Sequence, residues 1–266
     1  MTSSHDLPSV GRRFSAAANT YAARATIQTA VARNLVRLIP PSESVARILE
    51  VGCGTGILTR HLLGGFPNAI IDAIDISEGM IAAASSQFRA APTISWHAAD
   101  ARRFRAREPY DLIVSNCALH WIHPLADGLV NLAHQLAPGG RFAFSLMLGG
   151  TLCELHEARL RVAPDKPPMG RLPELHEVVE TLEACGCSAG DSCEETLLET
   201  YVSAAEFLQA IHELGLTGGA VSRAVTPLTR GEIHRLVADY QETYRDENQR
   251  VRATFRVGYV CASRCS

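Results

Sequence analysis

Lysine is almost absent: Lys166 is the only one in 266 residues, so arginine carries nearly all the side-chain positive charge. A preference that uniform is compositional, and it removes arginine abundance as a signal for nucleic-acid binding. The net charge of −3 points the same way, because affinity for bulk nucleic acid rests on phosphate neutralisation. No apolar run approaches the roughly 18 residues that span a bilayer. The first ten residues are polar, with neither a basic start nor an apolar core, which argues against a secretory signal. A cytoplasmic protein with no membrane and no nucleic-acid partner is the expectation. The eight cysteines include no Cys-x-x-Cys pair, and the cluster Cys185, Cys187 and Cys193 has no suitably spaced histidine. Reduced thiols and no metal site are expected.

What is present is a chain that is 47% hydrophobic, enough for one large domain or a domain with a cap. Helical spacing runs over 12–39, through Phe14, Ala17, Tyr21, Ala25, Ile27, Val31, Leu35 and Leu38, until Pro40-Pro41 stop it. Strand and helix then alternate. Strands are expected at 46–51, 69–75, 93–98, 110–115 and 141–147, with helices near 56–64, 78–88 and 123–136. Pro138-Gly139-Gly140 reads as a turn before the fifth strand. This alternation implies an α/β fold with a doubly wound parallel sheet. Beyond Met147 the pattern loosens. Helices at 151–162 and 173–184 flank a break at Pro164, Pro167 and Pro168; a strand near 194–202, helices at 203–214 and 229–245 and a last strand near 252–262 follow. The organisation is then a helical cap segment at 12–39, a binding core at 40–150, and a remainder at 151–266 with a cap insertion near 203–245.

The densest signal is Ile48-Leu49-Glu50-Val51-Gly52-Cys53-Gly54-Thr55-Gly56, a buried strand running into a glycine turn and then a helix, with Asp75 at the tip of the next strand. The glycines follow G-x-G-x-G rather than the G-x-G-x-x-G of dinucleotide sites. They let backbone approach a ligand closely, and the helix start offers unpaired N–H groups. An acid such as Asp75 accepts hydrogen bonds from both hydroxyls of a ribose. Together, Glu50, Gly52, Gly54, Gly56 and Asp75 resemble the cofactor site of class I S-adenosylmethionine-dependent methyltransferases. That resemblance implies a mostly parallel seven-stranded, Rossmann-like sheet ending in a hairpin that inserts one antiparallel strand. Ile76 and Met80 are candidates to sandwich the adenine, although Met80 equally suits a helix core. Asp100 with the Ala101 backbone N–H can pair with the adenine edge, and Asn116, ending the fourth strand, can present its carbonyls to the sulfonium or cap the strand. Asn116 is not followed by Pro-Pro-Tyr or Pro-Pro-Phe, which argues against methylation of base or glutamine amino groups.

Three further segments narrow the resemblance. Phe14-Ser15-Ala16-Ala17-Ala18-Asn19-Thr20-Tyr21 followed by Ile27-Gln28, Ser115-Asn116-x-Ala118-Leu119-x-Trp121, and Gly150-Thr151-Leu152-x-Glu154-Leu155-His156 are similar to the malonyl-acyl-carrier-protein O-methyltransferases of biotin synthesis. The likeness runs from about Phe14 to the last strand. It implies methyl transfer to the free carboxylate of a malonyl thioester on acyl carrier protein (or on coenzyme A), giving S-adenosylhomocysteine. A malonyl carboxylate is ionised at pH 7, so no general base is required. Arg171 is the candidate guanidinium fork for that carboxylate. Tyr21 is expected to close over the reacting centre, or else to be a core tyrosine. His120 is a candidate base or orienting residue; it stands where glutamine is common in the family. An acidic carrier would favour basic docking runs such as Arg102, Arg103, Arg105 and Arg107, or Arg12 with Arg13. Two alternatives remain: methylation of another small carboxylic acid or hydroxyl, and a non-catalytic cofactor-binding regulatory subunit.

Overall fold

Five strands arise from the alternating half of the chain: β1 (Arg47–Val51), β2 (Ile70–Asp75), β3 (Ile94–Ala98), β4 (Tyr110–Asn116) and β5 (Leu136–Met147). The computed structural model describes residues 7–167, 170–216 and 226–265; Pro168 and residues 217–225 of the expected cap insertion lie outside the described residues. Ile48 and Leu49 are wholly buried on opposite faces of the sheet, so β1 shows no alternation of apolar and exposed positions. Two later strands, β6 (Cys187–Tyr201) and β7 (Val251–Arg264), pair antiparallel and complete a seven-stranded sheet of order β3-β2-β1-β4-β5-β7-β6. β7 is also antiparallel to β5, whereas β1 to β5 pair in parallel. This is the doubly wound, mostly parallel sheet that the sequence implied.

Helices cover both faces. On one side α2 (Thr26–Arg37) and α3 (Ile57–Gly65) bury Val31, Leu35, Leu58 and Leu62 against Ile48 and Ile71. On the other, α5 (Leu125–Ala133) and α7 (Leu175–Ala184) bury Leu129, Leu132, Val178 and Leu182 against Ile113, Phe142 and Phe144. The chain between β6 and β7 supplies α8 (Ala204–Glu213) and α9 (Arg230–Thr243), which pack beside α6 (Cys153–Val162). Phe207 is the pivot of this group: its ring lies 5.2 Å from Tyr201 and 4.9 Å from Tyr240. The α9 start is fixed by a capping box between Thr229 and Glu232, and Lys166 closes on Glu232 at 2.8 Å.

The expected single helix at 12–39 is two helices, α1 (Leu7–Arg24) and α2, separated at Ala25. Nothing in the composition breaks the run. The bend at buried Ala25 lets α2 lie against the sheet while α1 crosses to the start of α4 (Glu78–Gln87). Pro138-Gly139-Gly140 is a bulge inside β5 and not a turn before it; the register shifts opposite Tyr110 and Leu112, and Gly139 takes φ +73°. β6 starts earlier than expected because it is the edge strand. One row of its side chains is solvated, so Ser188, Asp191 and Glu194 can sit in a strand that reads as loop.

α1 is seated on the turn between β2 and α4. The Ser15 and Ser77 hydroxyls lie 2.8 Å apart, and the Gly79 N–H donates to Ser15 Oγ at 3.2 Å. A Cβ at Gly79 would meet the Ser15 Cα at 2.8 Å and its carbonyl oxygen at 3.0 Å. Glycine is needed here for close approach of two backbones. Gly79→Ala gains about 1 kcal/mol of helix propensity but must lift α1. The expected outcome is a melting temperature within a few degrees of wild type and a ligand affinity in the adjoining cavity weaker by about tenfold, checked by thermal melts and calorimetry.

Candidate active site

The C-terminal ends of β1, β2 and β4 open into one elongated cavity roofed by α1, α6 and α8. At one end stands the glycine turn. Gly52 at φ +67° faces the cavity with Ala118 packed against it, and Gly54 at φ +53° faces space so open that a Cβ would touch nothing within 4 Å. Gly56, at φ +90°, starts α3 as a left-handed cap and is covered by Phe88; it is absent from the cavity wall and serves the turn. The Asp75 carboxylate accepts from the Gly54 N–H at 2.9 Å and the Ser77 N–H at 2.8 Å, so it ties the two turns together. Burial raises its pKa, against these hydrogen bonds.

Glu50 lies beneath the turn and off the cavity wall. It is 1% exposed; Oε2 accepts from Thr59 Oγ1 at 2.7 Å and Oε1 has no partner among the described residues. Burial pushes its pKa from 4.5 up to about 8, with the Thr59 hydrogen bond opposing and Asp75 adding to the rise. Ile76, buried Met80, Asp100 and Ala101 continue the wall. Asp100 is already engaged. Burial would raise its pKa, but the Arg102 guanidinium, 2.8 Å away, holds it below the usual carboxylate value. Arg102 is thereby withdrawn from the basic run, of which Arg103, Arg105 and Arg107 are exposed.

Towards the other end the wall carries Tyr21, Gln28, Asn116, His120, Thr151 and His156 among apolar Leu155, Leu172, Ile211, Leu216 and Phe255. Tyr21 is edge-on to Phe14 at 6.2 Å, and Phe14 in turn meets Trp121 at 5.2 Å. Burial raises the Tyr21 pKa, so its hydroxyl keeps its proton. The Asn116 side chain on that wall is engaged in two hydrogen bonds. Its Nδ2 donates to the Gln28 carbonyl at 3.0 Å and its Oδ1 accepts from Ser145 at 2.9 Å, which pins α2 to the end of β4. His120 is buried, and its Nδ1 accepts the Met147 N–H at 3.3 Å.

Arg171 is the clear departure. The expected carboxylate fork is 69% exposed at its side chain, lies off the cavity wall and is paired bidentately with Glu177. It borders a separate hollow, shared with His120, His123 and Leu172. The proline-rich break leads Arg171 past the outside of the roof, and the Glu177 carboxylate, which also caps α7, is nearer than any ligand. Among the described residues lining the main cavity there is no lysine or arginine.

Gln28 was not picked out as a site residue. It is 4% exposed, lines the cavity, and its buried Oε1 has no partner among the described residues. The available signal was a carboxamide on the apolar stripe of Ile27, Val31 and Leu35. Cys117, at φ +51° after Asn116, also lines the wall.

A family model described as "Methyltransferase domain" matches residues 49–142, spanning the glycine turn, Asp75, Asp100 and Asn116. The chain is 33% identical to malonyl-acyl-carrier-protein O-methyltransferase 2 of Ilyobacter polytropus over 90% of its own length and 91% of that protein's. It is 29% identical to the malonyl-acyl-carrier-protein O-methyltransferase of Halalkalibacterium halodurans, covering 96% and 97%. Among solved structures, the YcgJ protein of Bacillus subtilis shares the fold at a TM-score of 0.64 and 14% identity, covering 88% of this chain and 98% of that one.

The buried Glu50 carboxyl makes stability depend on pH in an unusual direction. Its pKa is higher folded than unfolded, so its contribution is present below about 4.5 and is lost as pH rises through about 8. The ligand-free protein should lose up to about 1.4 kcal/mol per pH unit across that window. Glu50→Gln should flatten the loss, as read by urea unfolding at successive pH values.

Proposed function

The chain belongs to the malonyl-acyl-carrier-protein O-methyltransferase family, and we propose that it methylates the free carboxylate of a malonyl thioester carried on acyl carrier protein, the ester that primes pimeloyl synthesis for biotin. One observation carries the cofactor half of this reading. Among the described residues the cavity is lined by Asp75, Asp100 and Gln28, whose Oε1 is buried without a partner, it offers no lysine or arginine, and the Glu50 carboxyl lies behind the wall. Such a site suits a nucleoside that brings positive charge and N–H donors, and it repels a pyrophosphate. S-adenosylmethionine fits on both counts. When bound, it supplies a sulfonium methyl: the carboxylate oxygen bonds to that carbon as the carbon–sulfur bond breaks, the electron pair returns to sulfur, and S-adenosylhomocysteine leaves with no proton moved.

The residues divide the work. Asp75 keeps lone pairs for ribose hydroxyls while its backbone bonds hold it still. Gly52 and Gly54 admit the ligand to the backbone, Ile76 and Met80 bracket the base, and the Ala101 N–H with Asp100 reads the base edge. Glu50 supports the turn from below through its Thr59 hydrogen bond and would ionise more readily beneath a positive ligand, and Gln28 offers its orphaned oxygen. Asn116 acts through position, fixing α2 and with it Gln28. Tyr21, Phe14 and Trp121 form an aromatic lid that keeps water from the carboxylate, whose reactivity depends on being stripped of its shell. The exposed Arg103, Arg105 and Arg107 offer an acidic carrier a complementary surface.

The test is mass spectrometry of malonyl-carrier after incubation with enzyme and S-adenosylmethionine, with free dicarboxylic acids in parallel. A gain of one methyl on the malonyl thioester is expected; none there, with methylation of free acids, would move the reading to another carboxylate. Asp75→Ala should weaken S-adenosylmethionine binding by at least tenfold in calorimetry, equivalent to about 1.4 kcal/mol, and leave the carrier's KM within about twofold.

A further inference from the structure

The cavity must hold the acceptor's anion, yet the fork expected to do so lies off its wall and is paired with Glu177. His120 lines that cavity. It sits in the short turn Leu119–Trp121 that follows β4, and its ring forms part of the partition between the cavity and the outer hollow with Arg171. A neutral imidazole has one nitrogen that donates and one that accepts. Nδ1 is committed as acceptor to the Met147 N–H, so the hydrogen resides on Nε2, and Nε2 has no partner among the described residues. The surroundings keep it that way. Burial, and then His123 on the same turn, pull the His120 pKa down to about 3, and the charged pair Arg171 and Glu177 stands on the far side of the partition.

We propose that His120 binds the malonyl carboxylate as a tautomer-locked, uncharged N–H donor through Nε2, serving neither as a base nor as a cation; the inference rests on the malonyl reading above. The chemistry favours such a donor. A guanidinium would neutralise the carboxylate in the ground state and lower its nucleophilicity, whereas a single N–H orients one oxygen and leaves the charge to be met by the sulfonium. A base at this position would have no proton to take, because the acceptor is already ionised.

The experiment compares wild type with His120→Gln, His120→Leu and Arg171→Ala on malonyl-carrier, with S-adenosylmethionine affinity measured separately. Glutamine can place an N–H near the position of Nε2 but cannot act as a base in this pH range. His120→Gln should keep kcat/KM within about threefold, while His120→Leu should lose about 10- to 100-fold, chiefly in KM, with cofactor affinity unchanged. Arg171→Ala should stay within about twofold. With S-adenosylmethionine saturating, wild-type kcat/KM should not rise between pH 6 and 7, below the Glu50 transition, and the ¹⁵N signals of His120 should report the Nε2–H tautomer across that range. An activity rising with pH around 6 to 7 that His120→Gln abolishes would make it a base and overturn the proposal. So would equal damage in His120→Gln and His120→Leu with native melting temperatures, or a loss centred on Arg171→Ala. If His120→Leu fails to fold, the glutamine variant and the ¹⁵N signals still decide. Absence of any methyl transfer to malonyl-carrier by wild type would instead sink the substrate reading, a distinguishable failure.

Discussion

The Asp75 carboxylate is the joint on which the binding end of the molecule depends. By accepting the N–H groups of Gly54 and Ser77 it joins two loops that approach from neighbouring strands and would otherwise be held only by the sheet behind them. Burial raises the pKa of this carboxyl against its hydrogen bonds, and among the described residues no lysine or arginine lines the cavity it faces. Glu50, a second buried carboxyl under the same turn, is pushed up to about 8 and so holds its proton at neutral pH. A positive visitor would favour the ionised form of both groups, so the site suits one. This is a stronger statement than the glycine pattern alone allows, since glycine turns at strand ends also serve pyrophosphates, and it is the charge around the turn that separates the two.

From the same joint the architecture runs outward. Ser77, whose N–H bonds to Asp75, also caps α4 by accepting the Met80 N–H and touches Ser15 of α1. At its other end α1 is tied to the cap: Thr20 donates to the Glu213 carbonyl at 3.0 Å, and Arg24 reaches the Glu213 carboxylate at 2.6 Å. One helix thus spans from the Asp75 turn to the cap, and it carries Phe14 and Tyr21 on the face that lines the cavity.

Much of this was legible in the residues. The positions of the first five strands, the glycine turn and Asp75 at a strand tip follow from apolar runs and from turn chemistry, which are local properties. The antiparallel pair at the end came from the resemblance. Where the reading fell short, the deciding contacts were long-range. The bend at Ala25 has no breaker, and only the separate partners of α1 and α2 impose it. The β5 bulge was mistaken for a turn because Pro-Gly-Gly is compatible with both. Arg171 looked like a carboxylate fork because it was a plausible cation beside a matching segment; that it spends itself on Glu177, six residues on, is a feature of the α7 capping box. Gln28 went unnoticed as a site residue because a glutamine on an amphipathic helix usually faces water, and nothing local says that this one is 4% exposed.

The charge pattern of the whole cavity also bears on whether the protein is a catalyst or a binding subunit. A subunit that only senses a cationic nucleoside needs the first end: the glycine turn, Asp75 and Glu50. It has no use for the rest of the same cavity, lined by leucines and isoleucine and furnished with uncharged polar groups such as Tyr21 and His120. Those groups share one property, which is that burial holds each of them in its neutral form. A stretch of wall that avoids charge so consistently, next to one that collects negative charge, is suited to bringing an anion against a cation in a dry space and letting them cancel by forming a bond. Methyl transfer to a carboxylate is a reaction of that kind, since two opposite charges enter and two neutral products leave.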